Sequence, residues 1–132
     1  MGQKITEIVD TNVIVRFFVG DQEGQQRQAK DWFKQAQEGK RKLIIKPLVV
    51  AESCFVLESF YKKERKEIAR VFEVFLSQKW LVVENSQALT GLWPWYRKGF
   101  HFVDSFLLAT ASAEKVKILS FDKKLSKEQL TS

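Results

Sequence analysis

Short apolar runs alternate with helix-like stretches along the whole chain, and this alternation limits the folds open to it. Strand-like runs stand at Ile5–Val9, Leu43–Lys46, Leu81–Glu84 and Lys117–Phe121. Between them the apolar period changes from about two to about 3.6 residues. In Gln25–Gln37, Ala29, Trp32, Phe33 and Ala36 follow i, i+3, i+4, i+7 spacing. In Glu64–Gln78, Ile68, Val71, Phe72, Phe75 and Leu76 make a broader stripe of the same period. Gly39 is placed to end the first helix, and Pro47 to begin the one that follows the second strand. Strands separated by helices predict a three-layer α/β/α sandwich around a central, mostly parallel sheet. At 132 residues one domain, spanning 1–132, is expected, with enough chain for a sizeable core.

Four acids are hard to explain as solvated surface. Asp10 and Asp122 each follow a strand-like run, in KITEIVDTNV and VKILSFDKKL. Glu52 and Asp104 stand on the apolar sides of predicted helices, in LVVAESCFVL and HFVDSFLLATA. Leu48, Glu52, Phe55 and Val56 share one helical face, and Asp104, Leu107, Leu108 and Ala111 share another. No Lys or Arg lies within four residues of Glu52 or Asp104. A buried carboxylate is costly unless it is paired or binds a cation. In parallel α/β sheets, ligands gather beyond the carboxyl ends of the strands, where helices also begin. All four acids are therefore expected to meet at that edge around a divalent ion. Carboxylate oxygens are the hard ligands that Mg²⁺ or Mn²⁺ prefers. Thr11, Asn12 and Ser120 are expected to support the same edge. Taken singly, each acid also has a structural role open to it, as a helix cap or at the rim of a helix face.

The charge balance points the same way. There are 22 Lys and Arg against 16 Asp and Glu, a net charge of +6. With the four acids set aside, 22 basic side chains face 12 acidic ones, leaving +10. A basic surface around an acidic, metal-loaded cleft suits a polyanion. Arg16, Arg97 and Lys98 are candidate phosphate contacts. Trp93, Trp95, Tyr96, Phe100 and Phe102 form an aromatic stretch suited to stacking bases, but core packing is the favoured reading for them. Cys54, the single cysteine, excludes an internal disulfide, fits a reducing compartment and is read as a packing residue. No apolar run reaches the roughly 18–20 residues of a spanning helix, and MGQKITEIVD lacks the apolar core of a signal peptide. A cytoplasmic protein without membrane association is expected.

The opening VDTNVIVRFF, the segment VVAES, the helix FVDSFLLATA and the run LSFDKKL resemble, in that order, the acid-bearing segments of the PIN domain. The chain is most similar to the VapC-type ribonuclease toxins. The resemblance covers essentially the whole chain. It implies a metal-dependent endoribonuclease that leaves 5′-phosphate and 3′-hydroxyl ends. Asp10, Glu52, Asp104 and Asp122 match the metal-site acids. It further implies a homodimer and a cognate antitoxin whose C-terminal segment covers the cleft. One departure stands out: related sequences often carry an acid three residues before the third site acid, where this chain has His101. The alternative reading keeps the fold but makes the chain a catalytically weak RNA- or partner-binding module. A phosphoryl-transfer site of the Asp-x-Asp kind is disfavoured, since the chain reads Asp10-Thr11-Asn12.

Overall fold

The computed structural model describes residues 5–131; the opening Met1–Lys4 lies outside them. Three strands form one parallel sheet in the order β1 (Ile5–Ile8), β2 (Arg41–Ile45), β3 (Leu81–Val83). Ile8 is in register with Ile44, and Ile45 with Val83. Helices α1 (Thr11–Phe18) and α2 (Glu23–Gln37) connect β1 to β2. Helices α3 (Pro47–Ser59) and α4 (Arg65–Leu76) connect β2 to β3. After β3 come α5 (Ser86–Gly91), α6 (Trp93–Lys98), α7 (Phe102–Glu114) and α8 (Lys123–Thr131). The result is a parallel sheet flanked by helices, as the alternation predicts.

Local chemistry sets the boundaries. Gly39 takes φ +82°, a left-handed turn that ends α2 and leads directly into β2. Pro47 opens α3 at a position where its missing N–H has no helical partner to lose. Gly99, at φ +107°, separates α6 from α7. Helix α4 buries Ile68, Ala69, Phe72, Phe75 and Leu76, a stripe of helical period. Phe72 then stacks on Trp93, with centroids 5.3 Å apart and planes within 2° of parallel. Phe17, Phe18 and Phe33 pack edge-on or tilted around Phe72 and Phe75. Trp93 and Tyr96 are fully buried and Phe100 nearly so, so three of the five residues of the aromatic stretch are core.

Two expectations need correction. The run Lys117–Phe121 does not join the sheet, and Leu119 and Phe121 are fully exposed. The backbone of Ile118 is satisfied from α8 instead of from a strand. Its N–H donates to Gln129 Oε1 at 2.8 Å, and its carbonyl accepts from Gln129 Nε2 at 3.0 Å. Asp122 consequently follows an irregular segment and not a strand. The second correction concerns α3. Its buried face is Val50, Ser53, Cys54 and Leu57, whereas Leu48 and Phe55 are 84% and 67% exposed, and Glu52 lies out with them. The helix is apolar almost all round, so its sequence carries no direction, and packing selects the face.

Candidate active site

Asp10 stands at the carboxyl end of β1 and starts α1. Its carbonyl accepts from the Val13 N–H at 3.1 Å, but its carboxylate makes no capping bond. That carboxylate is exposed and has no ion pair or hydrogen bond among the described residues, and Asp10 lines a cavity of about 190 Å³. Val9, Val13, Trp32 and the Glu7–Arg41 ion pair line the same cavity. Asp104 sits half-buried in the first turn of α7, where the helix dipole favours a negative charge, and it too lacks a partner among the described residues. Glu52 lies exposed on α3. Asp122 is occupied locally: its Oδ1 accepts from the backbone N–H of Lys124 at 2.9 Å and of Leu125 at 3.1 Å. It thus caps α8, and Ser120 Oγ accepts its own N–H at 2.9 Å. Among the described residues, no three His, Cys, Asp or Glu side chains come together as a metal-ligand group. The donor chemistry nevertheless fits a hard divalent ion, since Mg²⁺ commonly takes one or two carboxylates and keeps its waters. Of the four acids only Asp104 is half-buried; Asp10, Glu52 and Asp122 are exposed, against the burial expected of them.

The supporting residues divide. Thr11 is buried in the first turn of α1. Asn12 is exposed and lines a second cavity, of about 280 Å³, between α1 and α2. Arg16 lines that cavity as well, donating from Nε to Gln25 Oε1 and from Nη1 to the Tyr61 hydroxyl, both at 2.8 Å. Tyr61 in turn donates to Asp21 Oδ2 at 2.9 Å. Arg97 is held in a two-bond pair by Glu73, and its guanidinium keeps the Glu73 carboxyl below the usual range. Lys98 reaches Glu128 at 2.8 Å. Neither cation stands beside the acids as an uncommitted phosphate contact. His101 is the exposed N-cap of α7, and its carbonyl accepts from both the N–H and the hydroxyl of Ser105.

Other features escaped the sequence reading. Glu84, at the carboxyl end of β3, is neutralised by Lys46 from the end of β2 at 2.8 Å. Trp32 counted as one of an apolar stripe, yet only Ala29, Phe33 and Ala36 of that stripe are buried, and Trp32 stays at the cavity rims. Its single residue type carries no signal that would have separated it from the stripe. Burial pushes the Cys54 thiol well up, the state of an inert packing residue.

A profile of the PIN domain matches residues 8–128. The chain belongs to the PIN domain family. Members of that family are in general metal-dependent nucleases. No curated protein and no solved structure matches the chain. In this PIN domain the matched span begins in β1, just before Asp10, and ends in α8, so every acid singled out lies within it. No helix among the described residues is long and apolar enough to cross a membrane.

Proposed function

We propose that this PIN domain is a divalent-metal-dependent endoribonuclease and the toxin of a toxin–antitoxin pair, working in the cytoplasm. One observation carries the reading: within a PIN match spanning nearly the whole chain, the exposed Asp10 carboxylate at a strand end has no capping bond, hydrogen bond or ion pair among the described residues. A carboxylate left in this way at a cavity is available to a cation. Asp10 and Asp104 are the primary ligands in this reading, with Glu52 and Asp122 completing the set and Mg²⁺ or Mn²⁺ as the ion. When bound, such an ion acts as a Lewis acid and lowers the pKa of an attacking water. The residues of the chain orient the substrate: Arg16 and the excess of basic side chains attract the phosphodiester backbone.

The protein partners are a second copy and an antitoxin. Leu48, Phe55 and Phe60 on and beside α3, with Val103 on α7, are each 60% exposed or more, apolar side chains of the kind that protein contacts cover. The test is cleavage of single-stranded and structured RNA by the purified protein with EDTA or with added Mg²⁺ or Mn²⁺. Asp10→Asn and Asp104→Asn are assayed alongside. Metal-dependent cleavage lost in both variants is expected. Cleavage that survives chelation, or that both variants retain, overturns the reading.

A further inference from the structure

The α1–α2 cavity does not belong to the carboxylate site, but it adjoins it. Val13 and Trp32 line both cavities, so the space at Asp10 and the space at Arg16 meet at these two side chains. The chemistry of the second cavity is distinctive. One wall is the half-buried indole of Trp32, which is not part of the packed core. Asn12 and Gln28 bring two side-chain amides to its lining, and neither makes a side-chain hydrogen bond among the described residues. Arg16 is fixed there by Gln25 and Tyr61, with Asp21 Oδ1 3.9 Å from its Nη1, and the two hydrogen bonds use two of its five N–H groups.

We propose that this cavity is a nucleobase subsite, taking one unpaired base of the RNA next to the bond cleaved at Asp10. The proposal rests on the nuclease reading for its substrate, and it adds which part of that substrate is held and by what. The open side of a half-buried indole offers a flat face on which any base stacks. Side-chain amides carry both donors and acceptors, as the edges of bases do, and so match a base rather than an aliphatic side chain. The spare donors of Arg16 meet a base carbonyl or the adjoining phosphate. A base seated here lies one cavity away from Asp10, so it sets the register of the strand across the carboxylates. Recognition of unpaired bases by splaying them onto aromatic side chains is the usual route to single-strand preference.

The test uses the full-length protein in EDTA, where metal-dependent cleavage is silent. Short single-stranded RNA hexamers and an abasic ribose-phosphate hexamer of equal charge are titrated against wild type, Trp32→Ala and Gln28→Ala. Wild type is expected to bind a base-bearing hexamer about fivefold or more tightly than the abasic one. Trp32→Ala is expected to remove most of that preference. Gln28→Ala, at an exposed position that burdens no packing, is expected to alter which base is preferred. Equal binding of base-bearing and abasic hexamers by wild type overturns the proposal, as does a preference that Trp32→Ala leaves intact. Either result can accompany normal metal-dependent cleavage, in which case the nuclease reading stands without this subsite. A base preference that depends on Trp32, in a protein that cleaves no RNA with metal, supports the subsite and removes the nuclease reading.

Discussion

The phenol of Tyr96 donates a 2.6 Å hydrogen bond to Glu58 Oε2, tying α6 to α3. Arg65 completes the arrangement. Its Nε reaches Glu58 Oε1 at 3.0 Å, and its guanidinium lies 4.4 Å from the centre of the Tyr96 ring. Its Nη1 also donates to the carbonyls of Tyr96 and Phe100. One arginine therefore fixes the turn that leads into α7, and with it the start of the helix that carries Asp104.

Tyr96→Phe removes the phenol and leaves Glu58 with Arg65 alone. Stability should fall by about 1.5–2 kcal/mol, the low end of the worth of a hydrogen bond to a charged group. Arg65→Met should cost more, about 2–3 kcal/mol, because it strands a half-buried carboxylate and two carbonyls together. Urea unfolding midpoints measure both. A smaller loss for Arg65→Met than for Tyr96→Phe would show that the arginine does not organise this junction.

The same region makes stability sensitive to alkaline pH. Burial raises the Cys54 thiol and is also the main cause of the raised Tyr96 phenol, with Cys54 and Glu58 adding to the latter. Both groups are neutral when folded and ionise more readily when unfolded. Their contribution is whole below the unfolded pKa values, about 8.5 for a thiol and about 10 for a phenol, and is lost as pH rises above them. Denaturation curves should show stability declining by about 1.4 kcal/mol per pH unit above pH ~8.5, and more steeply above pH ~10. Cys54→Ala should flatten the first part of that decline. An unchanged slope in the variant would contradict it.

Asp122 has two possible duties, and one substitution separates them. Its carboxylate caps α8 through Lys124 and Leu125. Asp122→Ala should cost about 1 kcal/mol and speed hydrogen exchange at the first α8 amides, whereas Asp122→Asn should keep the cap. If Asp122 also serves the metal, Asp122→Asn should cut RNA cleavage while α8 stays protected. Full cleavage by Asp122→Asn would confine the residue to capping.

The alternation of periods made the parallel sheet legible, because β1, β2 and β3 each follow or precede a helix with one clear apolar stripe. It misled at Lys117–Phe121. That run has strand-like composition, but nothing in its own residues reveals that the Gln129 amide, eleven positions on, takes both hydrogen-bonding groups of Ile118. Asp10 could be placed from sequence because strand direction and helix start coincide there. Glu52 could not be oriented, since Leu48 and Phe55 look as buriable as Val50 and Leu57, and only tertiary packing separates them. Trp32 reads from sequence only as part of an apolar stripe, and Gln28 not at all, because a cavity between two helices is a product of their crossing and leaves no pattern along either one.

The central claim is that Asp10 carries a divalent ion at the end of β1. Calorimetric titration of Mn²⁺ into wild type and Asp10→Asn tests it most directly. Saturable binding to wild type is expected, weakened roughly tenfold or more by a substitution that leaves the fold intact. Wild type that binds no Mn²⁺, or Asp10→Asn that binds it equally well, would contradict it.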